Sequence, residues 1–182
     1  VPVKVYTKDN DKAWRELRER VRGLNGRYLS VGVQGERAQE PHPEARGGPP
    51  RITLGELAAA HELFPPPGVP RRPFIGPVFD AERTALKNGF TAAGRAVVFG
   101  EMTKRALQAF GDSVVEKVKQ RILAGQVTPA LAASTAAAKG DDRPLYETGA
   151  LAEAITAEIG SKGNLRTAAS ATMRDGPQYG ED

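Results

Sequence analysis

The chain has 182 residues, 40% of them hydrophobic and none of them cysteine. That length is enough for one domain with a sizeable core, and the lack of cysteine excludes disulfides, thiol nucleophiles and cysteine metal ligands. The net charge of +4, from 26 basic and 22 acidic residues, is mild, no run of about 18 apolar residues predicts a membrane span, and no basic-then-apolar leader predicts a secretion signal.

The first expected element is a short strand at Val3 to Tyr6. A helix follows from about Asp11 to Arg22, capped by Asp9 or Asp11 and ended by Gly23 and Gly26. Trp14, Leu17 and Val21 share one of its faces. Its arginines, Arg15, Arg18, Arg20 and Arg22, are interrupted by Glu16 and Glu19, which reads as a solvated mixed-charge face rather than a DNA-facing patch. Arg27 to Val33 alternates and carries Tyr28, Val31 and Val33, so a strand is predicted. Gln34 to Pro50 has almost no large apolar side chain to offset its ordering entropy, and a mobile loop or arm is expected there.

Thr53 and Glu56 form a capping-box pattern that starts a helix reaching about Leu63. Leu54, Leu57, Ala58 and His61 fall on one side of it. Pro65 to Pro70 breaks regular structure, with polyproline geometry expected. Phe74 and Ile75, set between Pro73 and Pro77, read as an anchor pinning this irregular stretch to the core. A long helix is expected from Pro77 or Val78, with Val78, Phe79, Ala81, Leu86 and Phe90 on its apolar side. The clearest helix is Met102 to Leu123. Ala106, Leu107, Phe110, Val114, Val115, Val118 and Ile122 stripe one face, and Gly111 marks a kink or a close contact. Ala130 to Ala138 has high helix propensity but little apolar bulk. A polar turn at Lys139 to Arg143 leads to a short helix capped by Thr148, with Leu151 and Ile155 on one face. Ile159 belongs to a following strand, and residues 161–182 read as a C-terminal tail or arm.

No constellation for catalysis stands out. His61-Glu62 opens like a metalloprotease HExxH motif, but the fifth position is Pro65, which has no donor atom. His61 is instead expected to pack near Phe64 and cap the last helix carbonyls. Asp141-Asp142 reads as a hydrophilic turn pair, and Ser113 and Ser134 have no nucleophile-elbow context. No catalytic, cofactor-binding or metal-binding residue is assigned, and no enzyme activity is expected. Arg71 and Arg72 have two readings: a clamp for a phosphate or a partner carboxylate, or two exposed arginines flanking a buried Phe74.

Three stretches, taken in order, carry a resemblance. The first is Thr53-Leu54-Gly55-Glu56-Leu57-Ala58 leading to His61-Glu62. The second is Val69-Pro70-Arg71-Arg72-Pro73-Phe74-Ile75. The third is Thr135-Ala136-Ala137-Ala138-Lys139 followed by Arg143-Pro144-Leu145-Tyr146-Glu147-Thr148-Gly149-Ala150-Leu151. In this order, spanning about Tyr28 to Ile159, they resemble the phage virion morphogenesis and tail completion family, typified by the G protein of phage Mu and the S protein of phage P2. Leu63-Phe64 followed by three prolines departs from the family's simpler Phe-Gly, and Arg143 and Tyr146-Glu147 stand where the family has Lys and Ile-Asp.

The resemblance implies an α+β protein, with a small sheet packed against several helices including one long amphipathic helix, and with extended loops or arms. A single domain over residues 1–160 is expected, with the mobile loop at about 34–50 and the tail after it. The resemblance also implies a role as a virion subunit of the tail or neck, assembled in the host cytoplasm, needing no cofactor. Its expected partners are further copies in a ring, other neck and tail proteins, and passing DNA contacted without sequence preference; no membrane is expected. A tail-terminator or head-stopper ring subunit and a small nucleic-acid-binding module are the alternatives.

Overall fold

The computed structural model describes residues 11–42 and 52–161. The strand expected at Val3 to Tyr6 and the tail beyond Ser161 lie outside these residues. Among the described residues, eight helices accompany one two-stranded antiparallel sheet, an α+β arrangement. In chain order the elements are α1 (Asp11–Leu24), β1 (Arg27–Val33), α2 (Gly35–Gln39), α3 (Leu54–Glu62), α4 (Gly76–Ala81), α5 (Arg83–Val98), α6 (Thr103–Leu123), α7 (Ala133–Lys139), α8 (Ala150–Glu153) and β2 (Ile155–Ser161).

The sheet pairs the strand that follows α1 with the strand that ends the described chain. Arg27 lies opposite Ser161 and Val33 opposite Ile155. Tyr28 faces Gly160, and its ring covers the bare glycine so closely that a Cβ there would fall 2.2 Å from the ring. A large aromatic opposite a glycine restores the burial that the glycine cannot supply.

Helix α6 crosses both strands. Its 21 residues turn Leu107, Gly111, Val114, Val118 and Ile122 inward, while Phe110 and Val115 are only half-buried. Gly111 is the close contact. A Cβ there would lie 2.7 Å from the Ala157 Cβ and 2.9 Å from Leu29 Cδ1. Ala157 Cβ is fixed to the strand backbone and cannot swing away. We expect Gly111→Ala to lower stability by about 1–2 kcal/mol, because overpacking outweighs the gain of about 1 kcal/mol in helix propensity. Gly94, inside α5, has nothing within 4 Å of a built Cβ. Gly94→Ala is therefore expected to stabilise, and chemical denaturation of the two variants reads the opposite signs.

Two clusters form the core. Phe74, Val118, Ile122, Val127, Leu151 and Ile155 belong to the larger one. Ala93, Val97, Ala106 and Leu107 form the smaller one, with Leu24, Phe110 and Ile159 against it. This division corrects the single long helix expected from Pro77. The helix breaks at Glu82, which leaves α4 free to send Val78 into the larger cluster while α5 sends Ala93 and Val97 into the smaller. The Glu82 carboxylate at the break accepts a hydrogen bond from Lys117 of α6.

Three further expectations are corrected. The stretch Gln34 to Pro50 is not loop throughout: residues 34–42 are built into the fold, and residues 43–51 lie outside the described ones. Helix α2 lies against α3, with a Cβ at Gly55 only 2.9 Å from Ala38 Cβ. Pro41 bridges to Thr53, and Leu54 N–H donates to Glu40 O at 2.9 Å. Backbone pairing and small-residue contact take the place of bulky apolar burial. In α1 the Trp14–Val21 face is left open: no residue of the helix is buried, and Trp14 is 57% exposed beneath the Arg18 guanidinium. Arg20 and Arg22 pair with Glu16 and Glu19 on the same helix. Finally, Gly149 rather than Thr148 occupies the cap position of α8. Its φ of 83° is left-handed, and the Thr148 hydroxyl accepts from Ala150 N–H at 3.3 Å.

Candidate functional site

The end of α3 and the proline-broken segment after it are stitched together by their own polar groups. The expected capping box is present at the start of α3. At the other end, Glu62 Oε2 accepts from Phe74 N–H at 2.7 Å and Ile75 N–H at 3.0 Å, and Oε1 accepts from Gly76 N–H at 2.8 Å. A carboxylate at this point meets the unpaired donors that open α4 and the positive end of its dipole. Arg71 Nε donates to Glu62 O at 2.8 Å, and Arg72 N–H donates to His61 O at 3.1 Å. Held in this way, Phe74 is fully buried, as the anchor reading expects, and Ile75 packs beside the same core. Pro73 lies between the Arg72 and Phe74 attachments and has no N–H to satisfy.

Arg71 and Arg72 both act as staples around a buried Phe74, through bonds that go to backbone carbonyls. Arg72 reaches Pro129 O at 2.9 Å through Nε and Ala130 O at 3.4 Å through Nη2, which ties the segment to the approach of α7.

His61 does not cap the helix carbonyls. Ala59 O is taken by Leu63 and Phe64 N–H, His61 O by Arg72 N–H and Glu62 O by Arg71 Nε. Phe64 itself is 75% exposed. The His61 Nδ1 is buried with no hydrogen-bond partner. Burial, and then the nearby Arg72 charge, hold the imidazole below the usual histidine pKa. The unfolded chain then binds more protons than the fold just below the ordinary value of about 6.5, so stability falls as pH drops through that value towards the folded pKa. We expect the melting temperature to drop between pH 7 and pH 5, and His61→Gln to flatten that slope. An unchanged slope in the variant would assign the pH dependence elsewhere.

The third stretch has its own clamp. Asp141 accepts from Arg143 at the backbone N–H (2.7 Å), Nε (3.0 Å) and Nη2 (2.5 Å). These bonds hold its carboxyl down to about 2. The Arg143 guanidinium lies 3.7 Å from the centroid of the Tyr146 ring and donates to Leu123 O, at the end of α6. Lys139 Nζ donates to Arg143 O at 2.5 Å. Pro144 and Leu151 are buried, and Leu145 has a φ of +60°, a costly conformation for a residue with a branched side chain.

Between these segments lies a cleft of about 220 Å³. Of the residues singled out in the sequence, His61, Arg72, Leu145, Thr148, Gly149 and Leu151 line it. Glu62, Arg71, Pro73, Phe74, Ile75 and Pro144 do not, and act behind it or below it. Thr135 and Lys139, from the third stretch, also line it. Sequence reasoning missed the Glu62 clamp and the Asp141–Arg143 pair. The first had no local signal, since Glu62 lies fourteen residues before Gly76. Among the described residues no cluster of three His, Asp or Glu side chains is placed to hold a metal ion. Comparison with family models, with curated proteins and with solved structures finds no match to this chain.

Proposed function

We propose that the chain is a structural virion subunit of a tailed phage neck or tail end, forming a ring that completes the tail and supports head–tail joining. It works by assembly, with no catalytic step and no cofactor. The observation that carries this reading is that the three resembling stretches, separated in sequence, are coupled in space. Glu62 of the first holds Phe74, Ile75 and Gly76 at the end of the second, and Arg72 of the second shares a cleft with Thr135, Lys139 and Thr148 of the third. A shared order of motifs has a physical meaning when the motifs hold one another in place.

The surface adds support. Phe99 is 86% exposed and Met102 71%, both at the turn between α5 and α6. Apolar groups grouped on a surface suit contact with neighbouring subunits. Two of the four arginines of α1, Arg20 and Arg22, have their charge offset by Glu16 and Glu19, which weighs against the nucleic-acid-binding alternative. Disruption of the gene in the phage that carries it tests the reading. Unjoined heads and tails are expected to accumulate; normal infectious particles would remove the proposal.

A further inference from the structure

The cleft has chemistry that stapling alone does not require. Its lining includes the apolar side chains of Leu57, Leu145 and the buried Leu151. It also includes two cations, Arg72 and Lys139, against one acid, Glu147. The side-chain hydrogen bonds of both cations go to backbone carbonyls: Pro129 and Ala130 for Arg72, and Arg143 for Lys139. A carbonyl satisfies an N–H group but does not cancel its charge. Lys139 also acts on Asp141, but that carboxylate is committed to Arg143. The cleft therefore combines an excess of positive charge with apolar lining.

Size narrows the choice of ligand. Pockets for drug-sized ligands and cofactors begin at about 300 Å³, and this one has about 220 Å³. One peptide side chain with its flanking groups is of the right size, and a dinucleotide is not. The strained Leu145, with φ +60°, sits in the lining. Such conformations are held in place by their surroundings and cluster at binding sites.

We infer that this cleft docks an acidic peptide segment of a partner protein, inserting one aliphatic side chain over Leu57, Leu145 and Leu151 while flanking carboxylates meet Arg72 and Lys139. The inference goes beyond the ring reading and does not depend on it, since a basic cleft binds such a segment whether or not the chain forms rings.

The test uses the full chain and two synthetic probes, acetyl-Glu-Leu-Asp-Glu-amide and its uncharged counterpart acetyl-Gln-Leu-Asn-Gln-amide. Amide chemical shifts of Thr148, Gly149, Ala150 and Leu151 are followed by NMR. The acidic peptide is expected to give saturable shifts with a Kd of about 1 mM or tighter, and the neutral one to bind about tenfold more weakly. Raising the salt to about 1 M should weaken the acidic peptide, because the screening length falls to about 3 Å. Thr135 lines the cleft, is exposed, and changes its charge with little risk to the fold. Thr135→Lys should tighten binding and Thr135→Glu weaken it, opposite signs that a loss of stability cannot mimic. Absence of saturation, or equal binding of the charged and neutral peptides, would overturn the inference. So would shifts from a thymidine octanucleotide with none from the acidic peptide, which would make the cleft a nucleic-acid contact.

Discussion

Replacing Glu62 with alanine is expected to cost about 3 kcal/mol or more. The carboxylate accepts from three consecutive backbone N–H groups, at Phe74, Ile75 and Gly76. A hydrogen bond to a charged group contributes about 1.5–3 kcal/mol. The side chain is half-buried, so water reaches part of the site after truncation and the full sum is not lost. What remains is still large against a domain stability of about 5–15 kcal/mol. Glu62→Gln should cost less, about 1–2 kcal/mol. Its amide oxygen can keep the two bonds of Oε2, but its NH2 then faces Gly76 N–H, donor against donor. Urea denaturation measures both variants. A Glu62→Ala protein within about 0.5 kcal/mol of the parent, the range of an ordinary surface change, would show that the clamp is ornamental.

Phe74→Ala is expected to lose about 3–5 kcal/mol, the range for emptying a buried aromatic site. Phe74 has no exposed surface and shares its cluster with Val118 and Ile122 of α6, Leu151 of α8 and Ile155 of β2. The cavity would open where α6, α8 and the sheet meet, and none of these elements can close it without leaving its other contacts. Phe74→Leu should cost less, below about 1.5 kcal/mol if the neighbours repack. The two sites are coupled, because Glu62 holds the Phe74 backbone. The double variant Glu62→Ala with Phe74→Ala should therefore cost less than the two single costs added. Strict additivity would show that the clamp and the anchor act independently.

Much of the local structure was legible from residue pattern. The α3 capping box needed only Thr53 and Glu56 at the right spacing, and the inward face of α6 followed from its apolar period. Phe74 stood out as a large apolar residue in a segment otherwise made of proline, glycine and arginine. What the pattern missed was long-range. Glu62 and Gly76 are fourteen residues apart across a proline break, and no local rule pairs them. Arg72 meets Pro129 and Ala130 only because the fold brings α7 alongside. The break at Glu82 depends on there being two clusters to fill, which a single amphipathic period does not reveal. Residues 34–42 read as loop in sequence because their order comes from backbone pairing with Thr53 and Leu54, which leaves no hydrophobic signature. Lys139 reads in sequence as the start of a polar turn and Thr135 as part of an alanine-rich helical run; only their neighbours in space put both in the cleft.

The proposed role is assembly into a virion ring. The test is an electron cryomicroscopy map of phage particles purified from cells that express this chain. A ring of density is expected at the neck or the head-proximal end of the tail, each subunit fitted by α6 lying across the β1–β2 pair. Intact particles whose neck and tail density is filled by other proteins, with this chain absent, would contradict it.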